Sequence, residues 1–363
     1  MRLGFDLSIL RHPYGGTARY AEELLAAMTA TCRPDDALTI HRGWRRLRRG
    51  HWLLRYANLA SDMAWTTTGV PAIALHQHLD TWYSPSNIIP PVLHRPAIVT
   101  IHDVNFLLQP DAYDRGYARY AEAMFRMSAR RAARVITDSD FSRDQLIDAF
   151  GVPRDRVVVV YPGLDHALTA KAHPTPVLGL PPRYALFVGQ TEPHKNVGLL
   201  LDAWEEGAPA QLDLVIAGQP GREHDQIVQR AARPPLAGRV FVLGKVSSGQ
   251  LETLYARATC FLSPSRAEGF GFPPLEAMAR RVPTAVARAG SLPEVTADAA
   301  LTFDPGDPLE LASRVVEMAT DSDVRSSLIA AGVKVSGRYR WRTAAEAVWA
   351  VARAAGGNSR PLP

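Results

Sequence analysis

The sequence predicts an α/β fold of two doubly wound, Rossmann-like domains that face each other across a cleft. Short β-branched runs alternate with helical patterns along the 363 residues, a rhythm typical of parallel βαβ units. Many of these runs are apolar throughout, as expected for strands that helices cover on both faces of a sheet. The length suits about two domains of roughly 150 residues each.

Each half of the chain carries its own set of candidate elements. Strands are predicted at residues 3–7, 37–41, 81–83, 97–101, 134–137 and 157–161, and helices at 17–28, 115–133 and 142–150. In the second half, strands are predicted at 184–188, 212–217, 240–243, 260–262, 284–287 and 300–303. Its helices are predicted at about 197–204, 225–232, 250–256, 274–281 and 308–319. The proline-rich residues 166–182 predict a linker between domains 1–168 and 169–339.

The composition excludes several classes of protein. A hydrophobic fraction of 47% argues against disorder. The two cysteines, Cys32 and Cys260, lie far apart in sequence and predict neither a disulfide framework nor a metal cluster, which favours a reducing cytoplasm. The opening MRLGFDLSIL predicts a first strand rather than a signal peptide. No apolar run approaches the roughly 18 residues needed to span a bilayer.

The positive charge is concentrated in one segment. Six arginines and no acidic residue occupy residues 42–55: Arg42, Arg45, Arg46, Arg48, Arg49 and Arg55. The net charge is +5, so the rest of the chain is slightly acidic and general nucleic-acid binding is not indicated. Trp44 and Leu47 share one helical face opposite several of the arginines, the pattern of an interfacial helix at an anionic membrane or acceptor. The alternative is a solvated basic loop.

Two glutamates eight positions apart, Glu268 and Glu276, flank a Gly-Phe-Gly-Phe-Pro-Pro turn that follows a predicted strand. Glycines there let backbone amides turn toward an anion at the start of a helix. Carboxylates on either side would accept hydrogen bonds from hydroxyls attached to a bound phosphate, which describes a nucleotide sugar. For Glu276 the alternative is a carboxylate in the first helical turn that complements the helix dipole.

Three further segments carry candidate site residues. In FVGQTEPHKN, Lys195 opens a helix after Gly189 and would neutralise phosphate charge, although a solvated lysine is the alternative. In VTIHDVNF, His102 follows a buried strand and would bond a sugar hydroxyl, unless it is a structural histidine. Gly16 belongs to a Gly-Gly turn into the first helix, for which turn chemistry is the simpler interpretation.

Two other patterns are rejected as sites. Asp138-Ser139-Asp140 resembles an Asp-x-Asp metal site, but it lies just before a predicted helix, where Asp and Ser commonly cap. Gly269-x-Gly271 lacks the third glycine of a dinucleotide-binding fingerprint. Neither pattern therefore predicts a metal site or a dinucleotide cofactor.

In order and spacing, these segments resemble the retaining glycosyltransferases of glycosyltransferase family 4, which have the GT-B fold. SPSRAEGFGFPPLEAMARRVP is similar to the paired-glutamate motif of that family, and GQTEPHKN is similar to its donor-phosphate loop. VTIHD, TDSDFSRDQL, VVYPGLD and SLPEV match further family segments, so the resemblance covers nearly the whole chain.

The resemblance implies a role for each candidate residue. Glu276 would bind the donor ribose, and Glu268 would contact the transferred sugar. Lys195 would offset charge on the β-phosphate of the leaving group, and His102 would line the sugar site. Backbone groups would hold the donor at Gly16, Gly269, Phe270, Gly271 and Phe272.

One donor-loop residue departs from the family pattern. Much of the family has arginine where this chain has Gln190, so Lys195 would carry more of the phosphate charge, with help from Arg266 or Arg19. The resemblance also implies that a C-terminal helix at about 340–357 crosses back onto the N-terminal domain.

The implied activity is retaining transfer of a hexose from a nucleotide diphosphate sugar, of the GDP-mannose or UDP-sugar type, to a hydroxyl. The acceptor would be a glycan, a lipid-linked saccharide or a small molecule, bound by the N-terminal domain, without an obligatory metal or other cofactor. Peripheral contact with the inner face of the membrane would run through Arg42 to Arg55. Two alternatives remain: a sugar-nucleotide isomerase or epimerase on the same fold, and a non-catalytic nucleotide-sugar binding protein.

Overall fold

The computed structural model describes residues 1–11, 16–44, 58, 61–165 and 173–357. The chain divides into two compact units. Unit 1 comprises Met1–Leu107, Asp114–Gly163 and Arg340–Pro363, and unit 2 comprises Leu108–Tyr113 and Leu164–Tyr339. Each unit contains a six-stranded sheet in which every paired neighbour runs parallel, so the predicted pair of α/β domains is confirmed.

The sheet of unit 1 has the strand order β2-β1-β3-β4-β5-β6. The strands are β1 (Arg2–Asp6), β2 (Ala37–His41), β3 (Thr81–Ser84), β4 (Ala97–Thr100), β5 (Arg134–Thr137) and β6 (Val157–Val159). The central strands β3 and β4 are buried along their whole length, including the polar residues Thr81, Ser84 and Thr100, as expected for strands that helices cover on both faces.

Helices flank this sheet. They are α1 (Gly16–Ala30), α2 (Val70–His76), α3 (Asn105–Leu108), α4 (Arg115–Arg131), α5 (Asp140–Phe150) and, at the C-terminal end, α13 (Trp341–Gly357). Helix α13 belongs to unit 1, although its sequence follows unit 2. The Trp349 indole donates to the Met28 carbonyl of α1 at 3.1 Å, and Arg353 pairs with Asp36 at 2.7 Å. A hydrogen bond to α1 and an ion pair with the segment before β2 therefore fasten α13 to unit 1.

The sheet of unit 2 has the order β12-β11-β10-β7-β8-β9. Its strands are β7 (Tyr184–Val188), β8 (Asp213–Ala217), β9 (Val240–Gly244), β10 (Cys260–Ser263), β11 (Thr284–Ala287) and β12 (Leu301–Phe303). Its helices are α6 (Val197–Glu206), α7 (His224–Ala231), α8 (Ser248–Arg257), α9 (Phe272–Ala279), α10 (Leu292–Thr296), α11 (Pro308–Thr320) and α12 (Ser322–Ser336). Two separate apolar clusters, one around Trp204 and one around Tyr255, bury the two faces.

The predicted linker is pinned to unit 2 over its described part. Residues 166–172 of that prediction lie outside the described residues. Beyond them, the Thr175 amide donates to Gly249 at 3.0 Å, and Thr253 donates to the Thr175 carbonyl at 2.8 Å. Val177 and Leu180 pack on the Tyr255 cluster. This part of the segment is therefore fastened to the surface of unit 2 and is not a free linker.

No helix in the described part of the chain is long and apolar enough to cross a membrane.

Candidate active site

The carboxyl ends of three neighbouring strands of unit 2 meet through glycines. Gly189 follows β7 and donates its amide to Ala217 at 2.9 Å, while Gly218 donates to Gly244 at 2.8 Å. A Cβ atom on Gly218 would lie 1.9 Å from the Gly189 carbonyl oxygen, and φ at Gly218 is +150°. A larger residue at position 218 would push the two loops apart. The glycines therefore set the path of the loop that carries Gln190 and Lys195.

That loop is held at both ends before it reaches α6. The Thr191 hydroxyl accepts from the Gly221 amide at 2.9 Å, and Glu192 pairs with Arg222 at 3.1 Å. Asn196 has a left-handed conformation with φ of 55°, and its side-chain amide donates to the carbonyls of Pro264 and Pro305. Gln190 lies exposed in the same loop. The preceding lysine is thus presented from a fixed backbone.

Lys195 and Glu268 form an ion pair, with Nζ 2.5 Å from Oε1. Ser265 donates to the same oxygen at 2.8 Å. The side chains are 20% and 13% exposed, so the pair is reachable from solvent but largely desolvated. Burial would raise the pKa of Glu268, but the Lys195 charge and the hydrogen bonds from Lys195 and Ser265 together hold that pKa below its usual range. Glu268 is therefore a carboxylate at neutral pH.

The backbone of Glu268 is braced by the segment SLPEV. Both the amide and the hydroxyl of Ser291 donate to the Glu268 carbonyl, at 3.2 and 3.0 Å. Gly290 has φ of +61°, and a Cβ there would lie 2.7 Å from the Glu268 nitrogen. SLPEV thus has a structural reason to accompany the paired glutamates.

Glu276 lies deeper than predicted. Helix α9 begins at Phe272 and not at Pro274, so Glu276 falls in its second turn and the predicted first-turn position is wrong. The helix starts earlier because Gly271, with φ of +89°, provides a left-handed N-terminal turn. Glu276 is 4% exposed, and Tyr255 donates to its Oε2 at 3.2 Å. A solvated carboxylate that complements a helix end does not describe this side chain.

The turn before α9 has few amides to offer an anion. Phe270 is 4% exposed and lies edge-on to Phe272 and Tyr339, with ring centroids 5.2 and 5.3 Å apart. Proline has no N–H, so Pro273 and Pro274 contribute no donor to the first turn. Donors at this helix start come from Gly271 and Phe272, with Gly269 and Phe270 in the approach to it.

In unit 1, His102 makes a buried ion pair of its own. Its Nδ1 lies 2.6 Å from Asp138 Oδ2, and its Nε2 lies 3.0 Å from the Pro85 carbonyl oxygen, so Nε2 carries a proton. Burial would lower the pKa of His102, but the charge and hydrogen bond of Asp138 raise it above its ordinary value. Both ring nitrogens are occupied within unit 1, and a bond to a sugar hydroxyl would have to replace one of them. The sugar-binding role of His102 stays a prediction.

The Asp-Ser-Asp segment is a helix cap, as predicted. Ser139 accepts from the Ser142 amide at 3.1 Å and begins α5, while Asp140 pairs with Arg143. Asp138 is the member that reaches His102. Among the described residues, no group of three or more histidine, cysteine, aspartate or glutamate side chains could hold a metal ion.

Of the other predicted residues, Arg266 borders the Lys195–Glu268 pair, because its amide donates to the His194 carbonyl at 2.9 Å. Gly16 is the exposed first residue of α1, and residues 12–15 before it lie outside the described residues. Arg19 on α1 and Arg266 after β10 are both exposed. Of the basic segment Arg42 to Arg55, residues 45–55 lie outside the described residues, and Trp44 packs edge-on to Trp65 at 6.0 Å.

Two residues of this region were missed from the sequence. Burial and the neighbouring Lys195 lower the pKa of His194 to about 4, so His194 is neutral. Its Nδ1 is buried without a hydrogen-bond partner, and its ring lies parallel to that of Tyr113 at 5.8 Å. The position of His194 next to Lys195 in the sequence could have marked it as a residue of the candidate site. Tyr255, the partner of Glu276, lies in a helix whose sequence gives no hint of that contact.

Comparison with known proteins covers both units. Residues 1–168 match the family Glycosyltransferase Family 4, and residues 171–335 match Glycosyl transferases group 1. The O-antigen chain mannosyltransferase B of Escherichia coli is 33% identical over 279 residues, 74% of this chain and 73% of that protein. The O-antigen chain mannosyltransferase RfbU of Salmonella typhimurium is 27% identical over 216 residues, 59% of this chain and 58% of the relative.

Solved structures share the fold. Anabaena Alr3699/HepE, in complex with UDP and glucose, has a TM-score of 0.71 at 19% identity, covering 97% of this chain and 99% of that one. Sucrose-phosphate synthase from Thermosynechococcus elongatus has a TM-score of 0.76 at 17% identity, covering 99% and 100%. At these identities the likeness concerns the architecture of the chain.

Proposed function

This chain is a glycosyltransferase that belongs to family 4 and has the GT-B fold, and from that premise we propose that it transfers mannose, with retention of configuration, from a nucleoside diphosphate donor to a hydroxyl of a growing glycan. The choice of mannose is supported by the two relatives named as O-antigen chain mannosyltransferases. The choice of mannose in turn favours GDP-mannose over a UDP-sugar as the donor. The glycan acceptor is supported by the same names.

The observation that carries the proposal is the Lys195–Glu268 pair beside the turn into α9. When the glycosidic bond breaks, negative charge grows on the β-phosphate oxygen that leaves. A preorganised ammonium at that oxygen stabilises the transition state more than the ground state. We assign this role to Lys195, whose backbone is fixed by its loop.

The two glutamates take different ends of the donor. Glu268 is an ionised carboxylate with moderate exposure, suited to accept hydrogen bonds from hydroxyls of the transferred sugar. Glu276 is nearly buried, suited to a fixed bidentate grip on the ribose hydroxyls. Gln190 carries no charge, so Lys195 is the cation of this loop that we assign to the diphosphate, and the reaction is proposed to proceed without an obligatory metal.

A donor screen tests the proposal first. Thermal unfolding is measured with UDP, GDP, dTDP and ADP, since a ligand that binds the folded state raises its stability. The matching sugar nucleotide is then incubated with and without a mannose-terminated acceptor, in the presence and absence of EDTA. Release of nucleoside diphosphate that requires the acceptor, with an α-linked product from an α-linked donor, supports retaining transfer.

Other results of the same assay would replace the proposal. Conversion of the donor sugar without any acceptor would indicate an isomerase or epimerase. Donor binding with neither outcome would indicate a binding protein. Activity that EDTA abolishes would overturn the metal-independent mechanism alone.

A peripheral contact with an anionic membrane through Arg42 to Arg55 is a separate part of the proposal. It is supported by six arginines without an acid, each adding about 1 kcal/mol near an anionic surface. Co-sedimentation with anionic and neutral vesicles at low and high salt checks it. Failure to bind anionic vesicles even at low salt would favour a soluble acceptor and a solvated basic loop.

A further inference from the structure

The carboxylate of Glu276 is held from behind by a tyrosine of a different helix. Tyr255, on α8, is fully buried, and its hydroxyl donates to Glu276 Oε2 at 3.2 Å. The same hydroxyl lies 3.5 Å from the Pro273 carbonyl oxygen. A hydroxyl has one hydrogen, and the nearer, charged acceptor takes the stronger bond. The contact therefore links α8 to the carboxylate on α9.

The tyrosine ring is itself clamped. The guanidinium of Arg280 lies over the ring, 4.9 Å from its centroid, and the ring of Phe261 lies 5.9 Å away. Arg280 is fixed in turn by two hydrogen bonds to Glu252, at 2.8 and 2.5 Å, and by a bond of 3.0 Å to the Glu276 carbonyl. The hydroxyl thus has little freedom to leave the carboxylate.

The charges around Tyr255 also favour its contact with the Glu276 carboxylate. Burial would lower the pKa of Arg280, but Glu252 and the charges around it, Glu276 included, raise that pKa, so Arg280 stays a cation. A carboxylate as buried as that of Glu276 needs both a countercharge and directed donors. Arg280, which donates to the Glu276 main-chain carbonyl, supplies the first, and Tyr255 supplies a donor at Oε2.

We propose that Tyr255 is a positioning residue whose hydroxyl holds the Glu276 carboxylate in the orientation that accepts the donor ribose hydroxyls. The inference rests on the proposed function, since it takes Glu276 as the ribose-binding group. It adds that recognition of ribose depends on a residue that touches no part of the donor. Loss of the hydroxyl is expected to leave the carboxylate in place but to remove one restraint on its rotation.

The test compares a ribonucleotide with its analogue that lacks both ribose hydroxyls. Calorimetry measures the Kd of the nucleoside diphosphate that stabilises the protein most, and of its 2′,3′-dideoxy counterpart, for wild type and Tyr255→Phe. We expect Tyr255→Phe to weaken the ribonucleotide on the order of tenfold and to change the dideoxy analogue less than about twofold.

A matched control separates positioning from stability. Tyr184 is also fully buried in the same apolar cluster, and its hydroxyl donates to the Leu254 carbonyl at 2.9 Å, beside Tyr255 in sequence. Tyr184→Phe removes an equivalent buried hydroxyl that does not serve Glu276. It is expected to lower thermal stability as Tyr255→Phe does while keeping the wild-type preference for ribose.

The Glu276→Gln variant distinguishes failure of the positioning role of Tyr255 from failure of the ribose-binding role of Glu276. If Glu276→Gln weakens the ribonucleotide selectively and Tyr255→Phe then adds nothing in the double variant, Tyr255 acts through Glu276. If Glu276→Gln has that effect but Tyr255→Phe leaves the ribose preference unchanged, or weakens both ligands equally, the inference is overturned and the proposed function stands. If Glu276→Gln itself leaves the ribonucleotide Kd unchanged, the assigned donor contact fails and the inference falls with it.

Discussion

In each unit, a cation–carboxylate pair joins the carboxyl ends of two neighbouring parallel strands. The two pairs differ in whether the cation keeps hydrogen-bond donors for a ligand. In unit 1, His102 after β4 meets Asp138 after β5, and the side chains are 12% and 5% exposed. In unit 2, Lys195 after β7 meets Glu268 after β10, and the side chains are 20% and 13% exposed. The two pairs occupy similar positions in their sheets, but their cations differ in hydrogen-bonding capacity.

The difference lies in the donors. An imidazolium has two N–H groups, and His102 donates one to Asp138 and the other to the Pro85 carbonyl. An ammonium has three hydrogens, and the bond to Glu268 uses one. The histidine pair therefore ties loops together, whereas the lysine pair keeps the capacity to bind an anion. An ion pair at a strand end is thus a candidate site when its cation has hydrogens to spare.

The largest expected effect comes from breaking the histidine pair. Asp138→Asn leaves the buried imidazolium without a counterion, and removing one member of a buried pair costs about 3–5 kcal/mol of unfolding free energy. Urea unfolding at pH 6 measures this. The control is Asp140→Asn, two residues on, whose side chain is 49% exposed and whose pair with Arg143 is worth at most about 1 kcal/mol. Equal losses in the two variants would show that the histidine pair is not a stabilising buried contact.

Removing the lysine is expected to act on turnover instead. Lys195→Ala should lower kcat on the order of 10²–10³-fold, the usual cost of deleting one preorganised donor at a developing charge. The Kd of the intact sugar nucleotide, measured without acceptor, should change far less, because the charge in question forms as the bond breaks. Steady-state kinetics and calorimetry give the two numbers, with Lys334→Ala on the exposed side of α12 as the control. A near-normal kcat would remove Lys195 from the mechanism.

The stability that the histidine pair contributes should also depend on pH. The folded pKa of His102 is raised, so its stabilising contribution is complete below its ordinary pKa of about 6.5 and is lost as pH rises through the folded value. Asp103, Tyr20 and Tyr83 also face this group or its carboxylate. The stability difference between wild type and Asp138→Asn should therefore shrink above pH 6.5, by up to about 1.4 kcal/mol per pH unit. A difference that stays constant from pH 6 to 9 would contradict a protonated His102.

The sequence predicted the strands closely because most of them are short, largely apolar runs with turn residues near their ends. The fifteen-residue helix α12 was missed, since its buried residues Leu328, Gly332 and Val335 form a weak stripe among small residues. The start of α9 was placed two residues late, because the left-handed conformation of Gly271 just before it, where a Cβ would lie 2.8 Å from Leu292, cannot be recognised from the local sequence.

Residue types at the site were readable, but their partners were not. Lys195 and Glu268 are 73 residues apart, and they meet because β7 pairs with β10. Likewise Thr100 pairs with Ile136, and the same register carried two residues further brings His102 to Asp138. Strand order decides both meetings, and a single sequence does not state it. Local sequence patterns therefore predict which side chains belong to a site, whereas the strand order of the sheet determines which of them meet.

The smallest expected effect tests whether the lysine pair competes with the donor. In the free protein, the Glu268 carboxylate occupies the Lys195 ammonium at 2.5 Å. A diphosphate must share or displace that contact. Glu268→Gln removes the competing charge and keeps the shape of the side chain, so the Kd of the bare nucleoside diphosphate should fall by about threefold to tenfold.

Transfer by Glu268→Gln should nevertheless be impaired, because Glu268 is the proposed acceptor for hydroxyls of the moving sugar. Calorimetry at low and high salt, beside single-turnover transfer, separates the two effects, since a gain that comes from charge fades with salt. The control is Glu205→Gln, which breaks a pair with Arg230 at the far end of α6 and should leave both numbers near wild type. If Glu268→Gln instead weakens the diphosphate, the carboxylate supports the lysine rather than competing for it, and the contrast with the closed histidine pair of unit 1 is lost.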